Sequence, residues 1–250
     1  MSQSRRSVLV TGGSHGLGAV LVEHLAGLGY DVAFTDRDSQ DRANDLVRKL
    51  EGSAGSAAAL QADALQFARA HEVVEEVVQR FGGLDVLVNN VGGAGADEGP
   101  IWQMTEETWN SVIALNLKPC FNYTHAAAGY FMRNGRGTIV NIGSINGLRG
   151  KENQPAYTTA KGGVWAFTKT VAKELGPYGV NVNMLATGYI GTEKQLRKLS
   201  EARRDGIRQA TAMKHLIEPE EVARAAAFLC SHEARHMTGS VLKLDAGEYI

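Results

Sequence analysis

A chain of 250 residues, 44% of them hydrophobic, can fill one sizeable core and is read as a single domain over residues 1–250. Its formal net charge is -1 with acids and bases interspersed, which excludes an overall field for nucleic acid or an anionic membrane surface. Its two cysteines, Cys120 and Cys230, are too few and too far apart for a disulfide framework or a metal-ligand spacing, and are expected as reduced thiols.

The polar residues Met1 to Arg6 lead straight into an apolar run, with no signal-peptide core, and no apolar stretch is long enough to span a bilayer. A cytoplasmic protein is expected. Short apolar runs at Val8–Val10, Asp31–Thr35, Ala57–Gln61, Asp85–Asn89, Gly137–Ile142, Val180–Leu185 and Val241–Leu244 predict seven strands. Between them Leu17–Leu28, Asp41–Leu50, Ala68–Phe81, Glu106–Met132, Tyr157–Leu175 and Glu220–Cys230 carry helical spacing. Near-continuous apolar strands separated by crossover helices imply a parallel sheet covered on both faces, a doubly wound α/β fold. Glu193–Arg208 breaks the alternation as a polar, helix-prone stretch and is read as a substrate lid.

Thr11-Gly12-Gly13-Ser14-His15-Gly16-Leu17-Gly18 sets a glycine-rich turn between the first strand and the first helix, where backbone N–H groups and the helix dipole face a pyrophosphate. Such a turn alone also serves ordinary helix–strand packing. The second strand, however, ends at Asp36, about 20 residues beyond the turn, where a carboxylate accepts from both adenosine ribose hydroxyls. Asp36 therefore favours NAD(H). Arg37 beside it can accommodate a 2′-phosphate, so NADP(H) stays open.

Tyr157 and Lys161 stand four apart at the start of a predicted helix, on one face and one turn from each other. A tyrosine of pKa about 10 is a poor base near neutrality, and a cation within ~4–6 Å lowers it by about 1–3 units. The same pair on an ordinary helix would be a packed ring and a snorkelling lysine. The surrounding motifs decide between the two readings.

Together these motifs resemble the short-chain dehydrogenase/reductase superfamily in its compact single-domain form, over essentially the whole chain. Thr11–Gly18 is similar to its TGxxxGxG turn, Asn89-Asn90-Val91-Gly92 to its NNAG motif, Tyr157–Lys161 to its YxxxK element, and Ala186–Thr192 to its PGxxxT segment. The resemblance implies a Rossmann-like fold and hydride transfer between a nicotinamide cofactor and a ketone or secondary alcohol. Tyr157 would be the acid/base, Lys161 its electrostatic partner and nicotinamide-ribose ligand, Ser144 the group orienting the carbonyl, and Asn116 the holder of a proton-relay water. Gly12, Ser14, His15, Gly16, Leu17, Gly18, Asp36 and Arg37 would hold the adenosine and pyrophosphate, Asp63 with Ala64 the adenine, and Asn90 and Gly92 would line the cofactor. Gly188, Ile190 and Thr192 would meet the carboxamide.

Local chemistry agrees with these assignments. Ser144 follows a predicted strand at a carboxyl end of the sheet, where open α/β proteins place their ligand crevice. Asn116 lies inside a long helix, where asparagine has poor propensity, and its apolar neighbours Leu115 and Leu117 argue for a kink or a water site. Three positions depart from the family pattern: Val91 replaces alanine, Thr187 replaces proline and Ala246 replaces glycine. Losing the proline frees φ and predicts a more mobile Thr187–Thr192 loop.

Substrate contacts are expected from Ile145, Asn146, Leu148, Arg149 and Gln154, the loop Gly93–Gly99, and Tyr189 with the lid. The cationic excess of the lid would suit an anionic or carrier-bound substrate, but a solvated helix face explains it better. The family's 3-oxoacyl thioester reduction and its sugar, polyol, steroid and secondary-metabolite oxidations share one machinery, and NAD(H) would tilt the balance toward oxidation. The Tyr157–Lys161 spacing disfavours enoyl reduction, and the chain length disfavours extended epimerases. A sensor or scaffold that binds NAD(H) without turnover is the rival of another class, opposed by the intact Ser144, Tyr157 and Lys161. Glu106–Met132 and Tyr157–Leu175 resemble the family's interface helices and predict a homodimer or homotetramer.

Overall fold

The computed structural model describes residues 5–93 and 99–250. Residues 94–98 of the expected substrate loop lie outside them. Among the described residues the strands are β1 (Ser7–Val10), β2 (Asp31–Asp36), β3 (Ser56–Gln61), β4 (Val86–Asn89), β5 (Gly137–Ser144), β6 (Val180–Thr187) and β7 (Val241–Leu244). They form one parallel sheet in the order β3-β2-β1-β4-β5-β6-β7, flanked by helices in a Rossmann-like α/β domain. The helices are α1 (Gly16–Gly27), α2 (Gln40–Lys49), α3 (Phe67–Phe81), α4 (Glu106–Asn134), α5 (Asn146–Arg149), α6 (Pro155–Leu175), α7 (Glu193–Leu196), α8 (Glu201–Gln209) and α9 (Pro219–Cys230).

The central strands are largely apolar on both faces because successive side chains enter different cores. Val8, Val10, Val86, Val88, Val140 and Ile142 pack with Leu21 and Leu25 of α1 and Val222 and Leu229 of α9. Leu9, Leu87 and Ile139 point the other way, among Val73, Tyr123, Phe131 and Val171 of α3, α4 and α6. Each such side chain contributes about 1.5–3 kcal/mol on burial, so neither face tolerates a polar substitution.

Two strands run further than expected. β5 continues through Ser144 and β6 through Thr187, because the two residues pair and the Ile145 N–H donates to the Thr187 carbonyl at 3.0 Å. Ser144 is thus strand-terminal and buried, not a loop serine. Thr187, at the head of the Thr187–Thr192 segment, lies buried between β5 and β7, and the Gly188 N–H donates to Leu244 at 3.0 Å. No kink is needed for Asn116, which sits within continuous α4. Three residues on, Pro119 removes the N–H that the Leu115 carbonyl would have accepted. The expected lid is two short helices, α7 and α8, joined where Arg204 donates to the Leu196 carbonyl at 2.6 Å.

Candidate active site

The crevice lies at the carboxyl ends of the strands, where the order reverses between β1 and β4. The turn 11–18 is tied down from both sides: Gly13 N–H donates to the Thr35 carbonyl at 2.9 Å, and Asn90 Nδ2 donates to the carbonyls of Thr11 and Gly12 at 3.0 and 3.1 Å. Asn90 therefore shapes the turn with its own amide. A Cβ on Gly18 would stand 2.0 Å from the Gly12 oxygen, so only glycine lets the helix start this close to the turn. Gly16, at φ +57°, faces open space, and His15 at the N-cap makes no side-chain cap bond. First-turn N–H groups of α1 are left for an anion.

Asp36 ends β2 buried, accepting from the Ser14 hydroxyl and from the Ser39 N–H. Arg37 is exposed and turned to Asp38 at 2.5 Å. Asp63 accepts from the Leu65 N–H at 2.9 Å, and the Ala64 carbonyl accepts from Asn122 Nδ2 at 2.9 Å. The turn after β3 is thereby fastened to α4.

Tyr157 and Lys161 face the crevice from the first turns of α6, with the ammonium 5.9 Å from the phenol ring centre. Lys161 is buried, and its Nζ donates to the Ile142 carbonyl at 3.1 Å, two residues before Ser144 on β5. Burial pushes this lysine down to about 8. The Cys120 thiol is itself driven up to about 12 by burial and stays neutral, donating to Asn141 Oδ1 at 3.3 Å. Ser144 Oγ accepts from the Asn146 N–H at 3.2 Å, which fixes the hydroxyl oxygen and leaves its proton to be donated. Asn116 uses both ends of its amide on Gly93, accepting from the N–H and donating to the carbonyl at 2.9 Å each. That clamp holds the Gly92–Gly93 segment against α4 and Lys161: a Cβ on Gly92 would lie 2.8 Å from Asn116 Oδ1 and 3.1 Å from Lys161 Nζ.

A protein-family model described as Enoyl-(Acyl carrier protein) reductase matches residues 12–248. The chain is 34% identical over 245 residues to a 3-oxoacyl-[acyl-carrier-protein] reductase of Staphylococcus epidermidis, covering 98% of this chain and 99% of the relative. It is 36% identical over 244 residues to an acetoacetyl-CoA reductase of Shinella zoogloeoides, covering 98% of each. A solved short-chain type dehydrogenase/reductase from Mycobacterium ulcerans superposes with a TM-score of 0.92 at 29% identity, over 99% of this chain and 91% of the other. The chain belongs to the short-chain dehydrogenase/reductase family. It is accordingly an oxidoreductase that uses a nicotinamide cofactor on a carbonyl or secondary alcohol.

In this short-chain dehydrogenase/reductase the expected substrate residues Asn146 and Gln154 meet each other, Asn146 Nδ2 donating to Gln154 Oε1 at 3.2 Å, while Asn146 Oδ1 accepts from Arg149. Arg149 is in turn paired with Glu248, so the C-terminal segment is strapped to α5. Sequence reasoning missed Glu248, because nothing local relates it to Arg149. Half-buried Tyr189 precedes Ile190, whose backbone bridges to Ile217, and the Gly191 N–H donates to the Ile217 carbonyl at 2.8 Å. Beneath α7 and α8 lies a cavity of about 270 Å³ lined by Gly191, Leu196, Arg208, His215 and Ile217. The lid's charges pair largely among themselves, Arg197 with Glu193 and Arg208 with Glu201 and Asp205, which agrees with a solvated helix face.

A second group that sequence reasoning missed, beyond Asn89 in its motif, is an amide ladder across β4 and β5. Asn89 Nδ2 donates to Asn141 Oδ1 at 2.9 Å and to Thr124 at 3.1 Å, and Asn141 Nδ2 donates to Thr168 at 2.9 Å. Two strands and two helices are pinned together there.

Proposed function

We propose that this enzyme reduces the 3-oxo group of an acyl thioester, with Tyr157 as the proton donor; the reverse direction oxidises the corresponding alcohol. The observation that carries the reading is the buried Lys161 beside Tyr157, with Ser144 at the end of the adjoining strand. The names of the curated relatives favour the thioester over other ketones.

The residues present fit a dinucleotide. The bare first turn of α1 and open Gly16 suit a pyrophosphate, Asp36 the ribose, and Asp63 with Ala64 the adenine. Asn90, Gly92, Gly188, Ile190 and Thr192 would border the nicotinamide half. When bound, the cofactor supplies or accepts the hydride. Tyr157 gives its phenolic proton to the carbonyl oxygen as negative charge develops there, and Ser144 donates a hydrogen bond to the same oxygen. Lys161 stabilises the phenolate left behind and holds the nicotinamide ribose. Asn116 keeps Gly92–Gly93 in place beside the ammonium and positions the water through which Tyr157 regains its proton.

Asp36 is expected to favour NAD(H) over NADP(H). A 2′-phosphate would approach a buried carboxylate, while the Arg37 charge is spent on Asp38. Asn146, Gln154 and Tyr189 would line the substrate side, with 193–208 as the lid. A homo-oligomer built on α4 and α6 belongs to the same reading, supported by the exposed Leu115, Phe121 and Met132 of α4. So does a cytoplasmic location; among the described residues no helix is long and apolar enough to cross a membrane.

The test follows NADH and NADPH absorbance with acetoacetyl-CoA, an enoyl thioester and a panel of ketones and alcohols. Wild type is expected to turn over the 3-oxoacyl thioester and not the enoyl one. Tyr157→Phe should lose 10²–10⁴-fold in turnover with cofactor affinity kept. An unaffected Tyr157→Phe rate overturns the mechanism, and tight cofactor binding with no turnover on any carbonyl favours a sensor instead.

A further inference from the structure

The C-terminal segment carries a carboxylate that the reaction as described does not use. Glu248 pairs with Arg149 through its side chain, and its backbone carbonyl accepts from Arg149 Nη1 at 3.2 Å. The carboxylate is only 15% exposed and the guanidinium 25%. The chain around Glu248 is folded so as to hold it in place. Buried Asp245 accepts from the N–H groups of Gly247 and Tyr249 at 3.0 Å each, and the Glu248 N–H donates to the Asp245 carbonyl at 3.0 Å. Glu248 Oε2 also lies over Gly188, where a Cβ would stand 3.2 Å from it.

What the pair holds is α5, a single turn of four residues that is too short to keep its own position. Arg149 Nη2 and Nε turn to Asn146 Oδ1 at 3.3 and 3.4 Å, and the Asn146 N–H donates to Ser144 Oγ at 3.2 Å. On its other side α5 abuts the Tyr157 helix, since a Cβ on Gly147 would stand 2.5 Å from the Lys161 carbonyl carbon. An unbroken series of contacts thus runs from Glu248 through Arg149 and Asn146 to the hydroxyl that orients the carbonyl in the proposed function. We propose that Glu248 is a positioning residue for the reaction: it fixes Arg149 and Asn146, and through them the Ser144 oxygen. This role rests on the one proposed for Ser144. An ordinary surface ion pair is worth little and would leave the rate alone. A donor to the developing oxyanion is worth about 10²–10³-fold, and misplacing it forfeits part of that.

Turnover is measured on a carbonyl that the wild type reduces, with cofactor affinity read by fluorescence titration. Glu248→Ala is expected to lower kcat about tenfold while the cofactor Kd stays within about twofold. Glu248→Gln, which keeps an oxygen facing Arg149, should recover the rate to within about threefold of wild type. Ser144→Ala should lose about 10²–10³-fold. In that background Glu248→Ala should cost no more than about a further twofold, because its route to the reaction is gone. A wild-type rate in Glu248→Ala, no recovery in Glu248→Gln, or the full Glu248→Ala loss repeated in the Ser144→Ala background overturns the positioning role. Full turnover by Ser144→Ala itself overturns the role proposed for Ser144, and that single variant tells the two failures apart.

Discussion

Lys161→Met removes the buried ammonium at nearly constant volume, and its effect on stability follows from the geometry of the site. Burial strips water from the ammonium and holds its pKa at about 8, against an ordinary 10.5. That difference disfavours the charged form in the folded protein by about 3 kcal/mol. Between those two values the unfolded chain binds more protons than the folded one, so stability rises with pH there; below pH 8 the penalty stands in full. Methionine leaves the Ile142 carbonyl without its donor, a loss of about 1–2 kcal/mol. The variant should therefore be more stable than wild type at pH 7 by about 1–2 kcal/mol, or roughly 2–8 °C in Tm, while turnover collapses. Urea unfolding without cofactor at pH 7 and pH 9.5 reads the difference. A variant less stable than wild type at pH 7, or a gap that does not narrow by pH 9.5, refutes the desolvation argument.

Three further substitutions test the scaffold of the site. Ala246 sits at φ +50°, a left-handed conformation that glycine adopts freely; Ala246→Gly should raise stability by about 0.5–1 kcal/mol in thermal unfolding without changing turnover. Asn116→Leu strips both bonds from Gly93 and should cost about 1–3 kcal/mol, with turnover falling more than cofactor affinity. In Gly18→Ala the new methyl meets the Gly12 carbonyl, so fluorescence titration should show cofactor binding weakened at least tenfold while the fold persists by circular dichroism.

The seven strands and the doubly wound class were legible because they depend on periodicity. Apolar runs and helical spacing alternate with a regularity that only a doubly wound sheet satisfies, and the glycine turn, Asp36 and the Tyr157–Lys161 pair each occupy a local, motif-sized stretch. Where reasoning from sequence stopped short, the deciding interaction was long-range. Ser144 and Thr187 became strand residues through each other, and neither flank of Ser144 announces a partner at Thr187. Asn116 read as a kink or a water site, and only the fold shows that its amide grips Gly93. Ala246 stood out in the sequence only as a departure from glycine, and the backbone shows it left-handed.

By itself the sequence determined the α/β architecture and the family and pointed to the candidate reacting side chains, since these rest on spacing along one chain. Tertiary structure alone decided what those side chains experience. The desolvation of Lys161 comes from β5 and α4, and the Arg149–Glu248 strap joins positions 99 apart. Electrostatic energy depends on burial and on distance in space, and neither is a property of sequence order.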